Sequence, residues 1–117
     1  VRHWDLREIE TTGGSRSPVV LDSDEAARAV FIGLEPGQEL GVHEVKENAF
    51  LLVVEGTVRI ETRDGGLEAA AGTLFRFEPE ERRSVSSRGG ARVLLFLVPW
   101  PGLGHYRGDE RAAPAPR

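Results

Sequence analysis

The stretch Gly37-Gln-Glu-Leu-Gly-Val-His43-Glu-Val45-Lys-Glu47-Asn-Ala49-Phe-Leu-Leu-Val-Val54-Glu-Gly56 decides how this chain is read. Side chains alternate across a strand with period two. If His43 faces inward, so do Val45, Glu47, Ala49, Leu51 and Val53. That face starts polar and becomes apolar. Ala49 to Val54 is apolar on both faces, so both need a cover. Glu55-Gly56 reads as a turn into Thr57 to Thr62, which alternates. Asp64-Gly65-Gly66 is a hairpin signal, because Asp-Gly supports positive backbone angles.

Working outward, short apolar runs recur between turn signals. Pro36-Gly37 is a turn pair that ends a strand over Ala29 to Leu34. Thr73 to Phe77, Ser84 to Ser87 and Ala91 to Val98 are strands, the last two split by Arg88-Gly-Gly90. Pro79 to Arg83 is a charged turn. Trp4, Leu6 and Pro18 to Leu21 read as edge strands, with a loop over residues 11–17 and a turn over Asp22 to Ala27. Seven or more short strands with regular turns and no long helical pattern imply an all-β sandwich or barrel. We expect one domain over residues 1–106. The tail 107–117 lacks the apolar residues to order itself.

Composition narrows the function classes. The chain has 117 residues, 39% hydrophobic and 29% charged, which suits one small globular domain. A net charge of -4 gives no electrostatic footprint for nucleic acid. No apolar run approaches a membrane span, and no signal layout opens the chain, so we expect a cytoplasmic protein with no membrane partner. The absence of cysteine excludes disulfides, thiolate metal sites and cysteine nucleophiles. There is no Gly-x-Ser-x-Gly elbow and no phosphate loop.

The Gly37–Gly56 stretch resembles the first motif of the cupin family: Gly, five residues, His, any, His, three or four residues, Glu, six residues, Gly. Gly37, His43 and Gly56 fall on its positions, whereas the second His is Val45 and the Glu is Ala49. The second family motif runs Gly, five residues, Pro, any, Gly, two residues, His, three residues, Asn. From Gly72 its positions hold Glu78, Glu80, Arg83 and Ser87, with Pro79 one place late. The ending Leu97-Val-Pro-Trp-Pro-Gly-Leu-Gly-His105 also looks like small single-domain bacterial cupins. The resemblance spans roughly Val30 to Pro99. It implies an all-β cupin-type double-stranded β-helix, a jelly-roll barrel.

The metal ligands that the resemblance would supply are mostly replaced, so we expect no bound metal and no cofactor. The candidate site is His43, Glu47 and Arg83 at the barrel mouth, with Trp100 as a cap or in a surface groove. Arg83 shares the inward face with Val85, unless a shift of one residue puts Arg82 there instead. Arginine offers five fixed donors that match a carboxylate or phosphate. The expected function is binding of an anionic or carbonyl-bearing small molecule. The alternatives are a metal-independent isomerase, epimerase or cyclase with His43 as acid/base, or a weak metal-dependent enzyme. Glu47 beside Lys46 also reads as a solvated loop residue. The doubly apolar strands predict a homodimer.

Overall fold

A computed structural model describes residues 1–11, 18–40 and 45–102. Seven strands follow in order: β1 (Val19–Ser23), β2 (Arg28–Leu34), β3 (Asn48–Thr62), β4 (Gly65–Ala70), β5 (Leu74–Phe77), β6 (Arg83–Ser86) and β7 (Ala91–Val98). Every pair among these strands is antiparallel. β3 organises them, because it belongs to two sheets. Its first half, from Asn48 to Gly56, pairs with β7 on one side, and Ala49 to Leu52 pair with β5 on the other. Its second half, from Thr57 to Thr62, pairs with β4, and Arg59 to Thr62 pair with β6. One sheet therefore runs β1-β2-β7-β3-β5 and the other β4-β3-β6.

The crossing from one sheet to the other lies at Glu55-Gly56. The sequence predicts a turn there, but β3 runs straight through as one strand of 15 residues. The register with β7 slips between Val53 and Glu55, and Gly56 takes φ 83°. A bulge with a left-handed glycine bends a strand without ending it. A Cβ on Gly56 would run into the Gly90 carbonyl, so only glycine fits this corner. The Asp64-Gly65 signal does close a hairpin: Thr62 pairs with Gly65, and Arg63-Asp64 form the loop.

The inner faces of the two sheets make the core. Val30, Ile32 and Leu34 of β2, Ala49, Leu51, Val53, Val58 and Ile60 of β3, Val85 of β6 and Val93 of β7 form one buried cluster. Full burial of each large aliphatic side chain contributes about 1.5–3 kcal/mol. The predicted inward face of the Gly37–Gly56 stretch is thus correct for Glu47, Ala49, Leu51 and Val53, which are all buried.

Two expectations need correction. The sheets do not close into a barrel among the described residues, because β4, β5 and β6 each pair only with β3 and β1 only with β2. The architecture is an open sandwich with cupin-like strand topology. Residues 37–40 run beside β6 through Gly37 N to Ser87 O, Ser87 N to Gln38 O and Leu40 N to Val85 O, which extends the second sheet without a regular ladder. The second correction concerns Trp4 and Leu6, which lie in a strandless arm whose turn is Glu8 N to Asp5 O at 2.9 Å. Trp4 is 42% exposed. The arm lies on the outer face of the larger sheet: Arg92 Nη1 donates to the Arg7 carbonyl at 3.1 Å, and Thr11 packs against Gly33.

Candidate functional site

Two charged side chains are buried at one end of the inner face: Glu47, 1% exposed, and Arg83, 2% exposed. Their position follows from the register. Ala49 pairs with Phe77, and Glu47 lies two residues before Ala49 on the same face. Arg83 opens β6 opposite Thr62, two residues before the core residue Val85. Its guanidinium carbon reaches over the Phe77 ring, 4.6 Å from the centroid.

The choice between Arg82 and Arg83 is settled by the loop before β6. Glu80 takes φ 67°, and no other described non-glycine residue has positive φ. Glu80 stands where the family motif has its glycine, so the late Pro79 does not shift the register. Arg83 then faces inward, and Arg82 is exposed. The loop is tied down by Glu80 N to Val45 O at 2.7 Å and by an ion pair of Lys46 with Glu80 at 3.4 Å.

Among the described residues, Nε and Nη1 of Arg83 are buried without a hydrogen-bond acceptor. Burial pushes the Arg83 pKa down, and the nearby Glu81 carboxylate works against that shift. A guanidinium remains charged at neutral pH even so. A buried cation without acceptors is costly. Besides the Glu81 charge, a favourable neighbour is the face of Phe77, and a cation over an aromatic ring gains about 0.5–2 kcal/mol.

Glu47 is placed differently from the solvated loop residue that Lys46 suggests. Residues 99–102, after β7, cross over it, and Gly102 N donates to Glu47 Oε2 at 2.7 Å. The approach is close: a Cβ on Gly102 would lie 2.9 Å from the Lys46 carbonyl oxygen and 3.0 Å from Glu47 Cγ. No local pattern announces this contact, which joins residues 55 apart. The Pro99-Trp100-Pro101-Gly102 punctuation is the sequence sign of a strap there. Trp100 sits in that strap, packed on the core, with the Arg28 guanidinium 4.7 Å from its ring centroid. It lines a surface groove with Ser23, Asp24, Glu25 and Arg28.

A cleft of ≈ 690 Å³ opens beside Arg83, between the β3–β4 turn and the β5–β6 loop. Glu61, Asp64, Glu80, Glu81 and Arg82 line it with Arg83, whereas Glu47 and Trp100 do not. The structure therefore separates the expected set. Arg83 is at the cleft, Glu47 and Trp100 are in the strap region, and His43 lies outside the described residues, as do His105 and the tail from residue 107.

The residues present do not fit the metal that the cupin motifs imply. Position 49 is a buried methyl group and position 83 a buried cation that repels a second one. Among the described residues no group of three or more His, Asp or Glu could hold an ion. Tight sites for transition metals need three or four protein ligands. No described helix is long and apolar enough to cross a membrane.

No protein-family model matches the sequence. No curated protein matches it either. Solved structures do resemble it. A cupin described as RmlC-like from Desulfovibrio desulfuricans aligns with TM-score 0.75 and 19% identity over 85% of this chain and 97% of its own. An RmlC-like cupin from Shewanella frigidimarina aligns with TM-score 0.70 and 24% identity over 87% and 86%. An uncharacterised conserved protein with a double-stranded β-helix domain from Klebsiella pneumoniae aligns with TM-score 0.75 and 17% identity over 86% and 87%. With the glycine frame of Gly37, Gly56 and Gly72 and the two-sheet path of β3, these likenesses show that the chain has the fold of the cupin superfamily.

Proposed function

We propose that this protein binds an anionic or carbonyl-bearing small molecule at Arg83, without a tightly held metal. The observation that carries this reading is the buried guanidinium of Arg83, whose Nε and Nη1 meet no acceptor among the described residues while it lies over Phe77. Natural cores rarely retain an unsatisfied cation without a use for it. A ligand oxygen supplies the missing acceptor, and the surrounding low-dielectric wall strengthens that charge-assisted bond. The guanidinium stands at the position of a family histidine ligand, so it brings positive charge to the place where a cation would otherwise polarise the ligand.

The test is a thermal-shift titration of the full chain with propionate and with inorganic phosphate, repeated on Arg83→Ala. Breaking a buried charge-assisted contact costs about 2–5 kcal/mol of binding. Arg83→Ala is therefore expected to abolish the shift while its own melting temperature is similar or higher. A wild-type protein that no small anion stabilises contradicts the reading.

The partner we propose is a second copy of the chain. The N-terminal arm covers the β1–β2 side of the larger sheet's outer face. Beyond it Phe96 is 39% exposed and Leu74 61% exposed. Phe50 pairs with Phe96, and Leu52 pairs with both Leu94 and Leu74, so these residues form an apolar strip across β7, β3 and β5, bordered at Phe50 by the Arg76 guanidinium 5.6 Å from its ring centroid. A stable interface buries at least ~1,000 Å² in total. Light scattering at micromolar concentration is expected to give twice the chain mass for the native sequence and the single mass for Phe96→Glu. A native monomer rules the dimer out.

A further inference from the structure

The charges around Arg83 select among anions, an inference that rests on the anion-binding reading of the same residue. The cleft beside Arg83 is lined by carboxylates as well as by arginines. Two of its acids are engaged elsewhere: Glu61 pairs with Arg59 at 2.9 Å and Glu80 with Lys46 at 3.4 Å. Asp64 and Glu81 form no ion pair among the described residues. Glu81 Oε1 accepts from Glu78 N at 3.0 Å, which fixes the carboxylate at the start of the loop. Glu81 is close enough to oppose the burial effect on Arg83, yet the two side chains form neither a hydrogen bond nor an ion pair. Opposite charges that flank one cleft and do not neutralise each other leave room for a ligand between them.

We infer that the cleft binds a small zwitterion, an amino acid or similar molecule whose carboxylate meets Arg83 and whose ammonium group meets Glu81 and Asp64. Arg63 and Arg82 also line the cleft, but both are exposed and screened by water, so the one buried guanidinium is the anchor and matches one carboxylate better than a dianion. The same acids that attract an ammonium group repel a second carboxylate or a phosphate. A cleft of ≈ 690 Å³ suits a small molecule.

Isothermal titration calorimetry of the full chain tests this with alanine, propionate, succinate and inorganic phosphate as probes. Alanine is expected to bind at least about fivefold more tightly than propionate, the gain of one or two partly exposed ion pairs. Succinate and phosphate are expected to bind more weakly than either. Glu81→Gln keeps the acceptor for Glu78 N and is expected to bring alanine down to the level of propionate. Arg83→Met is expected to abolish both. If propionate equals alanine in the native protein, the zwitterion is wrong and the anion site survives. Tighter binding of phosphate or succinate than of alanine also overturns the zwitterion and leaves Arg83 as a site for dianions. If no probe binds, both readings fail together. A preference for alanine that persists in Glu81→Gln assigns the ammonium contact elsewhere and overturns its pairing with Glu81.

Discussion

Glu47 and Arg83 are both buried charges at one end of the same sandwich, yet their surroundings are opposite. Glu47 is closed in by the strap over residues 99–102, and its carboxylate accepts the Gly102 amide at 2.7 Å. Among the described residues Arg83 keeps two buried nitrogens without acceptors, and it borders an open cleft. A buried carboxylate whose hydrogen bond pins a crossing strap holds the fold together, because removing it strands the donor. A buried charge with its hydrogen bonds unmade weakens the fold and is ready for a ligand. This contrast supports the proposal that the strap region is structural and that the Arg83 cleft is the ligand site.

The largest expected effect comes from removing the closed charge. Glu47→Ala leaves the buried Gly102 amide without its acceptor and opens a void, a loss of about 2–4 kcal/mol by urea denaturation. Binding of small carboxylates by the folded protein should persist. Gly102→Ala breaks the same contact from the other side. Its new methyl group would sit 2.9 Å from the Lys46 carbonyl oxygen, so the strap must shift, at about 1–3 kcal/mol. Either variant with unchanged stability would erase the distinction between the two charges.

The open charge predicts the reverse. Arg83→Met keeps a long side chain over Phe77 and removes an unpaired buried cation. Its stability should be unchanged or higher, by up to about 2 kcal/mol, while carboxylate binding is lost. A large fall in melting temperature would mean that Arg83 is structural after all. The smallest effect is expected at Glu80, whose φ of 67° is strained for a side chain with a Cβ. Glu80→Gly should relieve about 0.5–1 kcal/mol, partly offset by the greater freedom of glycine in the unfolded chain and the loss of the Lys46 ion pair.

Much of the fold is legible in the sequence where the signal is local. The alternation from Glu47 to Val53 places an entire inner face, because one side of a sheet must be apolar. Pro36-Gly37 and Asp64-Gly65 mark real turns for the same reason that Gly37 and Gly65 have positive φ. Sequence reasoning fails where the deciding contact is remote or ambiguous. Glu55-Gly56 looks like a turn, and only pairing on both sides of β3 shows that it is a bulge. Trp4 and Leu6 have the composition of a strand but find no edge to pair with. Glu47 beside Lys46 looks solvated until residues 99–102 return across it. Arg82 and Arg83 are indistinguishable as a dipeptide. The left-handed Glu80 separates them, and nothing in the residue type glutamate announces that conformation.

The central claim, that the Arg83 guanidinium is the ligand's anchor, is tested most directly at the guanidinium itself. Proton–nitrogen NMR of the arginine side chains, with Arg83→Met to assign the signal, follows its Nε–H as alanine or propionate is added. The account predicts a slowly exchanging Arg83 Nε–H, shielded by burial, that moves in a saturable way with either carboxylate while exposed arginines such as Arg82 stay in place. An Arg83 signal that exchanges as fast as those of exposed arginines, or that ignores every carboxylate, would contradict it.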